Sequence, residues 1–147
     1  MIRPAERTDI PRIWALIQEL ADYERLTHAV TGNAVLLERH IFDETRCLVF
    51  VIEADGEVVG YLLSFPIYST FRTLPALWLE DLYVTPAMRG KGYGKALLMH
   101  LFQYCRDNGL GRLDWSVLDW NEPSIKFYQA MGADVMPDWR ICRVSFE

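Results

Sequence analysis

The period of apolar and polar positions changes several times along the chain, and each change marks an element. Ile10, Ile13, Trp14, Ile17, Leu20 and Ala21 recur at the i, i+3, i+4, i+7 spacing of one helical face. Asp9 is placed to cap that helix and Pro11 suits its first turn. "NAVLLERHIFDE" predicts a second, shorter helix with Asn33 as its cap. The pattern then shortens: "RCLVFVIEA" and "EVVGYLLSFPIY" read as two strands joined by a tight Asp55-Gly56 turn. "PALWLEDLYV" is nearly all apolar, as a central buried strand is, and Pro86 ends it.

"GYGKALLMHLFQYCRDNGL" returns to a helical stripe that stops near Asn108-Gly109. "GRLDWSVLD" predicts a strand, and "NEPSIKFYQAMGA" a short helix capped by Asn121 and ended by Gly132. "WRICRVSFE" reads as a final strand, and "MIRPA" as a first one. The order β-α-α-β-β-β-α-β-α-β describes a mixed α/β layer, a largely antiparallel sheet flanked by helices, over a single domain 1–147.

Composition narrows the function. A chain of 147 residues with 51% hydrophobic content has enough apolar surface for a real core. A net charge of -5 argues against a nucleic-acid partner, which calls for a basic face. No apolar run reaches the roughly 20 residues of a membrane span, and "MIRPAERTD" lacks the order of a signal peptide. Cys47, Cys105 and Cys142 form neither a metal-binding spacing nor a disulfide framework. They read as reduced, mostly buried thiols of a cytoplasmic protein. His28, His40 and His100 show no ligand spacing, so no metal is expected.

One stretch carries chemistry. "RGKGYG" follows the buried strand and opens a helix. The first amides of a helix point outward without internal partners, and the helix dipole adds roughly half a positive charge there. Gly90, Gly92 and Gly94 let an anion approach the backbone, and Arg89, Lys91 and Lys95 add charge. The spacing fits neither common nucleotide loop. Lys95 stands where a dinucleotide fingerprint needs glycine, and only three residues separate Gly90 from Gly94.

Arg89-x-x-Gly92-x-Gly94 after "LEDLYV" (79–84) resembles the pyrophosphate loop of the GNAT N-acetyltransferases. The element order is similar across essentially the whole chain. "LEDLYV", "WNEPSIKFY" (120–128), "ELADYE" (19–24) and "WR" (139–140) resemble its diamine (spermidine/spermine) branch, which includes thialysine acetyltransferases. The resemblance implies acetyl-CoA as co-substrate, an amine as acceptor, direct attack without a covalent enzyme intermediate, and a homodimer. The Asp55-Gly56 link is shorter than in animal relatives and leaves the amine open between a polyamine or diamine and an amino-acid amine such as thialysine. A protein lysine as acceptor, or a non-catalytic acyl-CoA-binding sensor, are the other readings.

Acetyl-CoA brings a pantetheine arm with two amides, which can lie along a strand edge at Leu82, Tyr83 and Val84. The N–H of Leu82 is a candidate oxyanion donor. The resemblance places the loop Arg89, Gly90, Lys91, Gly92, Tyr93, Gly94 and Lys95, together with Asn121 and Ser124, around the cofactor. A primary amine has a pKa near 10.4, so about one in a thousand is neutral at physiological pH, and a carboxylate must take its proton. Glu80, expected to be buried, is the candidate base. Asp81 competes, and strand alternation puts the two on opposite faces unless a bulge intervenes. Tyr128 is the matching donor to the leaving thiolate, with a plain core aromatic as the alternative. Tyr23 and Glu24 match the branch's amine-contacting residues, as does Glu80.

Overall fold

In the computed structural model, which describes residues 1–146, the elements run in this order. β1 (Ile2–Pro4) and α1 (Ile10–Tyr23) come first, then α2 (Ala34–Glu38), which ends in a wider turn over Arg39–Asp43. β2 (Leu48–Ala54), β3 (Glu57–Ser69) and β4 (Leu74–Val84) follow, then α3 (Tyr93–Asp107), β5 (Leu113–Asp114) and α4 (Glu122–Ala130). The chain divides into two compact units, Met1–Ser116 and the segment from Val117 onward.

The first unit is a five-stranded sheet in the order β1-β2-β3-β4-β5. Its pairs are antiparallel except β4 with β5, which is parallel. α1 presents Ile10, Ile13 and Leu16 to one face, where Val49, Val51, Tyr61, Leu63 and Tyr83 meet them. Phe50 alternates with Val49 and Val51 and so points to the other face, where the His100 ring of α3 packs edge-on at 4.6 Å. Leu97, Leu98 and Leu101 of α3 are fully buried.

Local chemistry explains most boundaries. The Asn33 side chain accepts from the Leu36 amide at 2.9 Å, the cap expected of it. Gly109 ends α3 at φ 66°, which only glycine adopts freely. Asp9 acts differently from its expected role. It makes no cap bond to α1; its carboxylate accepts two bonds from Arg3, at 2.7 and 2.9 Å, and one from the Glu6 amide. At Gly60 a Cβ would meet the Tyr83 carbonyl oxygen at 2.8 Å and the side chains of Val84 and Ile52 at 3.0 and 3.1 Å. Only glycine lets the three central strands approach there.

Two predicted strands change. β5 occupies Leu113–Asp114 rather than all of 111–119, pairing only with Leu77 and Trp78. In the second unit Asn121 caps α4 by accepting from the Ser124 amide at 3.4 Å, and Gly132 turns the chain at φ 94°. The expected last strand does not form among the described residues 139–146. Its apolar alternation slips: Trp139 and Ile141 sit on odd positions, Val144 and Phe146 on even ones. Pairing would therefore leave apolar side chains on both faces. Trp139 is 77% exposed and Phe146 90%. Cys142 lies in this stretch and is exposed too, unlike the buried Cys105.

Candidate active site

β4 carries an irregularity at the point where the chemistry was expected. Leu63 pairs with Asp81, but Ser64 pairs with Leu79, so Glu80 is an extra residue in the ladder. The bulge resets the alternation. Asp81 falls on the face of Tyr83, toward α1, instead of opposite Glu80. Glu80 lies on the same side as Trp78, whose indole N–H donates to Glu80 Oε2 at 3.1 Å. The two adjacent carboxylates thus share one side of the strand.

The burial expected at Glu80 belongs to Asp81. Glu80 is exposed. Asp81 sits deeper, and the hydroxyl of the fully buried Tyr61 donates to its Oδ2 at 2.8 Å. Burial pushes the Asp81 carboxyl up from 3.8 to about 6; the Tyr61 bond opposes this, while Glu80 and Glu24 add to it. Glu24 ends α1, and its own carboxyl is raised by burial and then by Glu80. The charges of Glu24, Glu80 and Asp81 bear on one another. Among the described residues, Glu80 and Glu24 are the charged groups that raise Asp81, and Glu80 the one that raises Glu24.

The predicted cofactor edge follows directly. Among the described residues the strand pairing beside β4 stops at Trp78, so Leu82, Tyr83 and Val84 have a ladder partner only in β3. The glycine loop begins after Thr85. Gly90 and Gly92 adopt φ 77° and 85°, and a Cβ on either would meet nothing within 4 Å. Gly92 caps α3, which opens with Tyr93. Lys91 and Lys95 are exposed. Arg89 is turned back on the protein: its Nε–H donates to the Val84 carbonyl at 3.0 Å. Its guanidinium lies over the rings of Tyr23 and Tyr83, at 4.9 and 5.2 Å from their centroids. Tyr23, assigned to the amine, therefore also braces the loop.

In the second unit, Asn121 caps α4, which carries Ser124 and Tyr128. Asn121 is 4% exposed and holds the first turn, and the rings of Phe127 and Tyr128 stand 5.5 Å apart.

The acetyltransferase (GNAT) family matches residues 13–133. The chain belongs to that family. This acetyltransferase is 39% identical over 159 residues to the thialysine N-epsilon-acetyltransferase of Bos taurus, covering 100% of this chain and 93% of that protein. It is 34% identical over 157 residues to the Homo sapiens spermidine/spermine N(1)-acetyltransferase-like protein 1, covering 99% of this chain and 22% of that one. An aminoglycoside acetyltransferase from an uncultured soil metagenomic sample, solved with trehalose, shares the fold at TM-score 0.82 and 17% identity, over 100% and 96% of the two chains.

Enzymes of this family use acetyl-CoA as co-substrate, and the first unit suits its anionic end. Two left-handed glycines, a helix start and exposed Lys91 and Lys95 gather in one loop, whose backbone and cations suit an anion. Among the described residues no group of three or more His, Cys, Asp or Glu is arranged to hold a metal ion, and no helix is long and apolar enough to cross a membrane. Tyr61 is the site residue that the sequence reading missed. The available signal was a tyrosine inside an apolar run, whose hydroxyl must find a partner when buried.

Proposed function

We propose that this acetyltransferase moves the acetyl group of acetyl-CoA to a primary amine of a small polyamine or diamine, by direct attack, with residues 1–147 acting as one catalytic domain. The observation that carries the reading is the group of carboxylates Glu24, Glu80 and Asp81, whose charges bear on one another and which adjoins the β4 edge at Leu82–Val84. A substrate with two or more ammonium groups complements these negative charges.

In this reading pantetheine lies along Leu82, Tyr83 and Val84, with the Leu82 amide toward the thioester oxygen. The diphosphate meets the loop from Arg89 to Lys95, and Asn121 and Ser124 are further cofactor contacts. Glu80 takes the proton of the attacking ammonium, directly or through water. Freeing the amine at physiological pH costs about 4 kcal/mol, which an adjacent base lowers. Tyr128 returns a proton to the departing CoA thiolate. Tyr23 and Glu24 hold the distal end of the amine. The protein works in the cytoplasm as a homodimer, with the exposed Tyr68 and Phe71 as apolar surface for pairing.

An amino-acid amine is the second reading, favoured by full-length similarity to a protein named for thialysine. CoA release measured with putrescine, spermidine, spermine, lysine, thialysine and short peptides decides between them. Highest kcat/KM on a polyamine is the expected result, and preference for thialysine or lysine overturns it. Acetyl-CoA binding without turnover of any amine indicates a sensor.

A further inference from the structure

Tyr61 has no task in the chemistry above, yet its surroundings do not ask for a tyrosine. The ring is fully buried among Ile13, Leu16, Val51 and Leu63, where a phenylalanine would fill the same space. The hydroxyl is the one feature that packing does not require. It sits on β3 opposite Tyr83 and reaches diagonally to Asp81, two residues back along β4. That contact depends on the bulge, because regular alternation from Leu79 would turn Asp81 to the α3 face.

We propose that Tyr61 is a positioning residue of the acceptor site: its buried hydroxyl fixes the Asp81 carboxylate at the β4 bulge, beside Glu80, as a second acidic contact for the ammonium that Glu80 deprotonates. This rests on the reading of the function given above. In the step itself an N–H bond of the ammonium breaks and an O–H bond forms on Glu80. Asp81 stays ionised and keeps the nitrogen near the thioester.

Two carboxylates and one hydroxyl bear on Asp81. Glu80 lies on its own strand, Glu24 at the end of α1, and Tyr61 on β3. Tyr83 on β4 and Glu24 bear on Tyr61 in turn, and the Cys47 thiol before β2 feels Glu80 and its neighbour Arg46. Among these groups the Tyr61 bond is the interaction that favours the charged form of Asp81. Its loss raises the carboxyl by about one pH unit, the usual worth of one good bond to a carboxylate.

The test has two arms. In the first, kcat/KM is followed against pH for the wild type, Tyr61→Phe, Asp81→Asn and the double variant, with the best amine from the substrate panel. Tyr61→Phe is expected to move the acid limb up by about one unit and to keep most of the rate above pH 8.5. In Asp81→Asn the same change is expected to move nothing further. An unmoved limb in folded Tyr61→Phe, or an equal shift in the Asn background, overturns the proposal. In the second arm, the Asp81 carboxyl is titrated by carbon NMR in the free protein, with and without the Tyr61 hydroxyl. A midpoint near 6 that rises in Tyr61→Phe supports the pairing whatever the substrate, and an identical midpoint overturns it. A wild type that acetylates no amine refutes the function while leaving the second arm to decide on Tyr61.

Discussion

Neutralising Asp81 should make the protein more stable at neutral pH. The native carboxyl titrates at about 6 against 3.8 for an ordinary aspartate, mainly because it is buried. The native state therefore binds this proton more tightly than the unfolded chain does. Between about pH 4 and pH 6 the native state carries more protons, so stability falls as pH rises through that window and levels off above it. A gap of about 2 units at 1.36 kcal/mol per unit amounts to about 3 kcal/mol of instability at pH 7.5. Asp81→Asn removes the charge, keeps the volume, and leaves an amide oxygen to accept from Tyr61. The new amide N–H groups need acceptors and take back part of the gain, leaving roughly 1–3 kcal/mol. For a chain of this size that corresponds to roughly 3–10 °C in Tm. Thermal unfolding by circular dichroism at pH 7.5 and pH 4.5 measures it. The variant should melt higher at pH 7.5, with the advantage shrinking at pH 4.5. An advantage independent of pH, or a variant less stable at pH 7.5 than the wild type, refutes the argument.

The remaining predictions concern other parts of the molecule. Glu80→Gln should lower turnover chiefly below about pH 8 while leaving acetyl-CoA affinity nearly intact; an unchanged pH–rate profile removes Glu80 as the base. Tyr128→Phe should slow turnover by roughly 10²–10⁴-fold if its hydroxyl is the acid, and a full rate assigns it to packing. Gly60→Ala forces a Cβ to within 2.8 Å of a backbone oxygen and against two branched side chains, so urea unfolding should show a loss of about 1–3 kcal/mol. Asp9→Asn breaks the paired bonds to Arg3, which hold the Asp9 carboxyl below its ordinary range. The expected loss is about 1–3 kcal/mol near neutral pH, present above the usual carboxylate pKa and fading as pH falls through the lowered native value.

The fold was legible wherever the apolar period was long and unbroken. α1, α3 and the run from β2 to β4 follow the stripes and alternation that announce them, and Asn33, Asn121, Gly109 and Gly132 stand where helix ends need them. The two failures share a cause. "GRLDWSVLD" and "WRICRVSFE" have the composition of strands, but a strand needs a neighbouring ladder as well as suitable side chains. In the first, pairing stops after Asp114. In the second, the apolar phase flips between Ile141 and Val144, and no single face can be buried.

The candidate site was legible as a list of residues but not as an arrangement. Glu80, Glu24 and the glycine loop stand out through residue type and order. What decides their chemistry is one extra residue in β4, which no periodicity shows. With regular alternation from Leu79, Asp81 would point toward α3 and the apolar helix face of Leu97 and Leu98, where its charge would have no partner. With the bulge, it turns toward α1, meets Tyr61, and adds its charge to Glu80 and Glu24. The same irregularity exposes Glu80 and leaves the deeper position to its neighbour. The roles of the two acids therefore follow from the register between Leu63 and Ser64, and the LED sequence alone is compatible with either assignment.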